Sequence, residues 1–571
     1  MRNHEVSILL YRIADLLDIK GDNFFKIRAY RIAAQIIDDL SEDIETIVKQ
    51  NKLNDIDGIG PALSKKITEY VNTGTLAFLE DLEKEIPPGL LDFLDIPTLG
   101  PKKVSTLFHE LNITTIKELK EACKKGELRN LDGFGELTEH NILRGIALQE
   151  KTQGRNLLHH ATEVGLEVMK FLKKSVAVDR LNIAGSLRRR KETIGDIDIL
   201  VTSTKPEDVM DWVVSYPNID HVIMKGPTKT SILLSNNIQV DIRVVEERSY
   251  GAALQYFTGS KEHNVSMRAH ALKKGYKLNE YGLFKKDNED YITGEDETKI
   301  YETLGLSLIP PELRENRGEI DASLNNTLPN LITHEDIKGD LHIHSQYSDG
   351  KETIQNLVSN AEKLGYHYIG ITDHSQSLHV AHGLTHERVL KKKKEIEQIN
   401  KNSNLLVLLG TECDILADGN LDYDDETLEL FDFVGIGIHT KFTMTEKEAT
   451  ERITSGMSHP KVTFLAHPTC RLFGQRPSLP INMEKMFETA IDTDTALEIN
   501  SFPDRLDLSD INVKRGKELG VSFCIGTDAH HINHMSYMSY GVSTARRGWL
   551  ESSDVINCLD VKSLMDLLSK R

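Results

Sequence analysis

At 571 residues the chain is long enough for about three to five domains. Hydrophobic residues make up 39% and charged residues 27%, an ordinary globular balance that excludes wholesale disorder, collagen and a coiled coil. The net charge of −19 argues naively against a polyanionic substrate, but it is uneven: −7 over residues 1–150, zero over 151–320 and −12 over 321–571, where 14 of the 22 histidines lie. An acidic, histidine-rich segment beside a neutral one suggests a metal site in the former and polyanion contact in the latter, since bound cations offset carboxylates.

Residues 1–150 read as helical, with apolar positions at helical spacing in Val6 to Leu17 and Ile32 to Leu40. Three Gly-containing breaks recur at a spacing of roughly 35–40 residues: Ile56-Asp57-Gly58-Ile59-Gly60, Ile96-Pro97-Thr98-Leu99-Gly100 and Leu131-Asp132-Gly133-Phe134-Gly135. Hairpins of this form expose backbone amides that bind phosphate without reading sequence. Gly58, Gly60, Gly100, Gly133 and Gly135 are the expected DNA contacts, with Lys65, Lys66, Lys102 and Lys103 just beyond the first two breaks.

Residues 151–248 are mixed. A helical stretch precedes expected strands at 180–184, 197–201 and 238–244. Gly185-Ser186 follows the first strand, with Arg189 beyond it, and Gly195-Asp196-Ile197-Asp198 opens the second. Asp196 and Asp198 are two apart on a strand and share a face. Asp241 on the third strand can meet them, and three carboxylates can hold two Mg²⁺ ions for nucleotidyl transfer. The Gly-Ser turn and Arg189 offer contacts to a triphosphate. Residues 249–314 are compact and mixed, and the polar stretch 315–338 reads as a linker.

From 339 onward strands and helices alternate. Seven expected strands, at 341–343, 368–371, 405–409, 433–438, 462–465, 496–499 and 521–525, indicate a parallel sheet closed into a barrel. Polar residues sit in or just after them: His342, His344 and Asp349, then His374, Glu412, His439, His467, and finally Asp528 and His530. In such barrels the C-terminal strand ends form one rim, so these nine converge. The set is mixed nitrogen and oxygen without thiolate, which fits two or three Mn²⁺, Zn²⁺ or Fe²⁺ ions and hydrolysis of a phosphoester.

Asp340-Leu341-His342-Ile343-His344, Thr372-Asp373-His374, Ala466-His467-Pro468 and Thr527-Asp528-Ala529-His530 resemble the motifs of the PHP (polymerase and histidinol phosphatase) family, which implies a distorted seven-stranded barrel with a trinuclear phosphoesterase site. The Gly-Ser, Asp-x-Asp and third-Asp constellation, followed by Tyr256-Phe257-Thr258-Gly259-Ser260, Asn264 and Met267-Arg268-Ala269-His270, resembles the family X DNA polymerases. That resemblance implies that Tyr256 and Phe257 pack on the incoming sugar and base, with Gly259 beside them. It further implies that Asn264 reads the minor-groove edge and Arg268 contacts the template. The hairpins resemble the lyase and fingers regions of that family, where Lys66 falls at the Schiff-base lysine. Two other basic phosphate contacts of those lyases are Ile32 and Ala62 here, so Lys66 is that nucleophile, a plain phosphate contact or a solvated lysine.

The expected fold class is therefore multidomain α+β and α/β: a helical lyase-like domain at 1–82, a second helix-hairpin-helix domain at 83–150, a polymerase-beta-like nucleotidyltransferase palm at 151–248, a thumb-like nucleotide-selecting subdomain at 249–314, a linker at 315–338 and a (β/α)7 PHP barrel at 339–571. The order resembles bacterial and archaeal family X polymerases. It implies a gap-filling repair enzyme with dNTPs, gapped or nicked duplex DNA and two Mg²⁺ or Mn²⁺ ions at the palm, and a 3′–5′ exonuclease or abasic-site nuclease in the barrel. The rivals are a small-molecule nucleotidyltransferase fused to a phosphatase, and a DNA-end scaffold with a vestigial polymerase site. No apolar run reaches the roughly 18 residues of a spanning helix, no cleavage site follows Met1 to Tyr11, and five scattered cysteines lack a CxxC pair; the expectation is a reduced, cytoplasmic monomer with no membrane contact.

Overall fold

The computed structural model describes residues 3–38, 40, 43–56, 58–96, 99–131, 133–136, 138–143, 146 and 155–570. Asp57, Pro97, Thr98 and Asp132 of the hairpin sequences, and the boundary expected at 150, lie outside the described residues. Contacts divide the chain into two units, Met1–Gln153 with Phe473–Pro477, and Gly154–Leu472 with Ser478–Arg571.

The first unit is built of helices α1 (Asn3–Lys20), α2 (Phe24–Asp38), α3 (Ile44–Lys49), α4 (Pro61–Thr73), α5 (Ala77–Glu85), α6 (Pro101–Leu111) and α7 (Ile116–Lys125). Val6, Leu10, Ile13 and Leu17 of α1 pack with Ile27, Ala33, Ala34 and Ile37 of α2 in one core. Burying each leucine or isoleucine contributes about 1.5–3 kcal/mol. Each Gly break has the same local structure. A 3₁₀ turn (Leu53–Asp55, Pro88–Asp95 and Leu128–Asn130) leads into a turn closed by Ile59 N to Ile56 O at 3.1 Å, Leu99 N to Ile96 O at 3.0 Å and Phe134 N to Leu131 O at 3.1 Å. The apolar residue of each, Ile59, Leu99 or Phe134, is buried and anchors the hairpin. Gly60 and Gly100 then cap α4 and α6, with Pro61 and Pro101 at their first positions.

The second unit begins with a helix, Leu158–Leu172, and a five-stranded palm sheet. Its strands are β1 (Arg180–Ile183), β2 (Asp196–Thr202), β3 (Ile219–Lys225), β4 (Lys229–Leu234) and β5 (Gln239–Val245), in the order β1-β2-β5-β4-β3. Only β2 and β5 run parallel, and they lie at the centre. The expected palm lacked β3 and β4; six of the seven residues of β3 are exposed, so that strand carries no apolar alternation to detect. Helices Tyr250–Thr258 and Lys261–Lys273 and a three-stranded sheet of β6 (Tyr276–Asn279), β7 (Gly282–Lys285) and β8 (Tyr291–Thr293) follow.

Residues 315–338 do not form the expected linker. They contain a helix, Glu319–Leu324, with Glu319 and Ile332 fully buried. Glu315 pairs with Arg189 at 2.9 Å and Arg547 at 3.1 Å, and Glu319 accepts from His263 Nδ1 at 2.7 Å. The polarity that suggested a linker supplies buried ion pairs whose partners lie far away in sequence.

The barrel strands are β9 (Gly339–Ile343), β10 (Tyr368–Ile371), β11 (Leu406–Asp414), β12 (Phe433–Gly437), β13 (Val462–Leu465), β14 (Ala496–Asn500) and β15 (Phe523–Gly526), all parallel and paired in chain order. β11 runs on past the expected end to Asp414, so Glu412 lies within it. The seam between β9 and β15 is bridged by Asn557, whose Nδ2 donates to Gly339 O and Ile525 O at 2.9 Å each. Inside, Phe433 and Phe464 fill the interior because small residues face them: a β-carbon on Gly410 would lie 2.3 Å from the Phe433 ring and one on Gly435 2.5 Å from Phe464. Among the described residues, no helix is long and apolar enough to cross a membrane.

Candidate functional site

The central parallel pair of the palm sets the first site. Asp198 stands directly opposite Asp241 in the β2–β5 register, and Asp196 shares the Asp198 face. Gly185 has φ +62°, and a β-carbon there would lie 2.0 Å from Asp198 Oδ2, so only glycine lets the Gly185-Ser186 turn approach the acids. Burial, then the charges of Asp196 and Asp241, push Asp198 up to about 7. Burial would also raise Asp241, but hydrogen bonds from Lys229, Gln239 and Ser231 hold it below the usual carboxylate range. Lys229 Nζ lies 2.7 Å from Asp241 Oδ2.

A raised folded-state pKa means that ionisation favours unfolding. The penalty is absent below the unfolded pKa near 3.8. It grows as pH rises toward about 7 and is complete above it. In EDTA, Asp198→Asn is therefore expected to raise the thermal midpoint at pH 8, by an increment that shrinks toward pH 4; a midpoint unchanged at pH 8 would contradict this.

Around the triad the structure is selective. Tyr256 and Phe257 are half-buried and edge-to-face at 5.1 Å, with Arg243 stacked 4.5 Å from the Phe257 ring. In this structure Arg189 Nε donates to Glu315 Oε1 at 2.9 Å and its Nη1 to Thr258 O, bracing the Thr258-Gly259-Ser260 turn. Asn264 and Arg268 share a face of helix Lys261–Lys273, but Asn264 Nδ2 donates to Tyr256 O at 2.7 Å and its Oδ1 accepts from Gln255 at 2.8 Å. Ser186 and Gly195 flank the acids in sequence at the turn and at the start of β2.

In the helical unit, Gly58, Gly60, Gly100 and Gly133 are exposed and Gly135 half-buried. Gly58 (φ +89°) and Gly133 (φ +76°) take the left-handed conformation that the turn requires. Lys65 and Lys102 are exposed, and Lys103 lies 5.5 Å above the Phe134 ring. Lys66 is different. Its ammonium sits 3.6 Å over Phe78 and hydrogen-bonds Tyr30 Oη, and burial followed by Lys26 lowers its pKa.

At the barrel rim the nine expected residues converge. Donor atoms of His344, Asp349, His374 and His530 lie within 4.8 Å of one another, as do those of His342, His344 and Asp528, and those of His374, Glu412 and His439. Glu412 joins the groups, with Oε1 2.7 Å from His467 Nε2 and 2.9 Å from His439 Nε2, and Oε2 3.2 Å from His374 and 3.3 Å from His342. Burial alone would raise its carboxyl, but His439, His342, His374 and His467 hold it well below the ordinary range. Burial, His530 and His374 push His344 down to about 4, which leaves it neutral and able to ligate. A β-carbon on Gly437 would lie 2.9 Å from Glu412 Oε1, so that glycine leaves room for the cluster.

The donor set fits divalent ions. Buried ring nitrogens of His342, His344, His374 and His467 have no hydrogen-bond partner, a costly arrangement that coordination would relieve. Several supporting residues escaped the sequence reading. Glu498 accepts from His342 Nδ1 at 2.6 Å, which leaves Nε2 to face the cluster, and Asp414 faces His439 Nδ1 at 3.3 Å. A carboxylate inside the apolar run Ala496 to Ile499 was the available signal for Glu498. Glu498→Gln is expected to weaken Mn²⁺ affinity by about 10–100-fold, read by calorimetric titration of the metal-free protein.

Four family models match the chain: a helix-hairpin-helix domain at 1–76, a SAM-like helix-hairpin-helix tandem at 90–147, a DNA polymerase beta thumb at 253–315 and a PHP domain at 340–502. The chain is 38% identical to the DNA polymerase/3′-5′ exonuclease PolX of Bacillus subtilis (strain 168) over 573 residues, covering all of both chains. It is 25% identical to rat (Rattus norvegicus) DNA polymerase lambda over 49% of each chain. It is also 24% identical to a probable phosphatase of Syntrophotalea carbinolica over 38% of this chain and 90% of that one.

Proposed function

The chain belongs to the PolX family, family X DNA polymerases joined to a PHP domain, and from that premise we propose that it both extends and trims DNA 3′ ends. The observation that carries this reading is the pairing in one chain of an all-carboxylate triad with a histidine-rich cluster. Oxygen-only donors at the palm suit two hard Mg²⁺ or Mn²⁺ ions held by Asp196, Asp198 and Asp241, and the mixed donors of the barrel suit two or three Mn²⁺, Zn²⁺ or Fe²⁺ ions. When bound, such ions supply neutralisation of phosphoryl charge and, in the barrel, a hydroxide-like nucleophile near neutral pH.

At the palm the primer 3′ hydroxyl attacks the α-phosphorus of a dNTP, the new P–O bond forms and pyrophosphate leaves. The Gly185-Ser186 turn, packed against Asp198, offers its amide and hydroxyl to the terminal phosphates. Tyr256 and Phe257, with Gly259 behind them, offer an apolar wall to sugar and base. Asn264 would exchange its contacts with Tyr256 and Gln255 for the minor-groove edge, and Arg268, one helical turn on, would reach the template strand. In the barrel, water attacks the terminal phosphodiester, the P–O3′ bond breaks and a nucleoside 5′-phosphate departs. Exposed hairpin glycines with Lys65, Lys102 and Lys103 grip the phosphates of a gapped or nicked duplex. The proposed setting is repair in the cytoplasm by a monomer, with incision at abasic sites as a second barrel activity.

Gapped duplex with a 5′-phosphate, incubated in Mn²⁺ with and without dNTPs, is expected to show extension in the first case and shortening in the second. A protein that does neither removes this reading. Borohydride trapping on a 5′-deoxyribose-phosphate end separates the two roles of Lys66: a covalent adduct lost in Lys66→Ala assigns Schiff-base chemistry, and none assigns phosphate contact.

A further inference from the structure

The loop after β14 carries an arginine into the barrel rim. Arg505 Nε lies 3.3 Å from Asp528 Oδ2, while Asp528 Oδ1 faces His344 Nε2 at 3.3 Å and His342 Nε2 at 3.6 Å. The other oxygen contact of Asp528 Oδ2 comes from Asn500 Nδ2 at 3.2 Å. The Arg505 side chain is 18% exposed, and its Nη1 is buried with no hydrogen-bond partner. An unmet guanidinium N–H in such a place costs about 1–3 kcal/mol, which favours a further acceptor at this position.

What that acceptor is follows from the charges present. The rim presents the carboxylates of Asp349, Glu412 and Asp528, and Glu498 lies behind His342. Once bound cations offset these carboxylates, an anionic oxygen can approach Arg505. A phosphodiester brings two non-bridging oxygens in a geometry that a guanidinium fork matches, and it arrives with the substrate.

The loop is also held from the palm. Arg471 Nε donates to Arg505 O at 2.7 Å and its Nη2 to Leu506 O, and the same guanidinium pairs with Glu192 of the palm, Nη2 to Oε1 at 2.7 Å and Nη1 to Oε2 at 3.2 Å. Glu192 lies four residues before Asp196. A line of contacts thus runs from the segment just ahead of β2, through Arg471, to the arginine beside Asp528.

We propose that Arg505 is the phosphate anchor of the barrel site, gripping the non-bridging oxygens of the phosphodiester to be cut, and that the Glu192–Arg471 pair is the positioning device that holds its loop. This rests on the reading of the barrel as a phosphodiesterase. Arg505 supplies binding and transition-state charge stabilisation to a rim otherwise made of the nine candidate metal donors and the residues that orient them.

The test uses the full chain, Mn²⁺ and a single-stranded oligothymidylate. Arg505→Ala is expected to raise the KM for 3′ trimming and to lower kcat/KM by about 100-fold, with bound Mn²⁺ and the thermal midpoint unchanged. Equilibrium binding of the same oligomer with a cleavage-resistant phosphorothioate terminus should weaken by at least about tenfold. Arg505→Lys keeps the charge beside Asp528 but loses the fork, so it should show the KM defect without metal loss and serves if the alanine variant fails to fold. Glu192→Gln should raise the KM several-fold while dNTP incorporation stays at the wild-type level. Loss of Mn²⁺ in proportion to activity in both Arg505 variants would reduce the residue to a structural partner of Asp528 and overturn the proposal, as would a wild-type KM. A wild-type protein that trims nothing while binding Mn²⁺ refutes instead the phosphodiesterase reading beneath it.

Discussion

Alanine at both Asp196 and Asp198 is expected to abolish dNTP incorporation into a gapped duplex and to leave 3′ trimming at the wild-type rate. The two side chains share a face of β2, and Asp198 stands opposite Asp241, so removing them leaves a single carboxylate to hold cations against a triphosphate. Loss of that charge neutralisation is worth several kcal/mol, and each 1.36 kcal/mol is tenfold, so incorporation should fall by at least about 10³-fold. The variant should fold well. Asp198 is an acid pushed up to about 7 by burial and by its neighbours, and its removal relieves a repulsion. Primer extension and 3′ trimming, followed on one labelled strand, give both numbers. Trimming that falls with incorporation, in a protein of unchanged thermal midpoint, would mean that the two chemistries share a site.

Much of both sites is legible in the sequence because period and topology do the placing. Two residues apart on a strand is enough to put Asp196 and Asp198 together, and a parallel barrel gathers strand-end residues whatever their separation. Hence the rings of His344 and His530 stack 4.2 Å apart across 186 residues of sequence. What escapes is whatever depends on a particular partner. Lys392 sits in a run of four lysines that reads as a solvated face, yet it alone of them is fully buried, 2.8 Å from Asp373. The stretch 315–338 has linker composition, but its Glu315 and Glu319 are drawn inside by Arg189, Arg547 and His263. Arg189 is similar: an arginine near a Gly-Ser turn suggests a phosphate contact, but nothing in the local pattern points to its partner Glu315, 126 residues on. Asn557 spans the barrel seam with one carboxamide, beside the backbone bridge of Ile343 and Ala529, a role that no pattern announces.

His344→Ala is expected to produce the mirror image of the palm variant: trimming falls by at least about 10³-fold and dNTP incorporation persists. His344 belongs to two of the three donor groups at the rim, so its loss opens both at once, whereas loss of His439 opens one. Its ring is fully buried and neither nitrogen makes a well-aligned hydrogen bond, its nearest carboxylate oxygens on Asp528 and Glu412 lying 3.3 and 3.5 Å away, so little hydrogen bonding is lost with it. Glu412→Gln sharpens the argument. Glu412 touches His342, His344, His374, His439 and His467, and an amide of the same shape keeps the packing while losing the charge that offsets bound cations. Metal analysis of the purified variants should therefore show fewer ions per chain in both, in step with trimming, while the palm reaction continues in added Mg²⁺. If Glu412→Gln keeps the full ion complement and still fails to trim, the carboxylate acts on the substrate rather than as a ligand, and the donor groups of the rim must be redrawn without it.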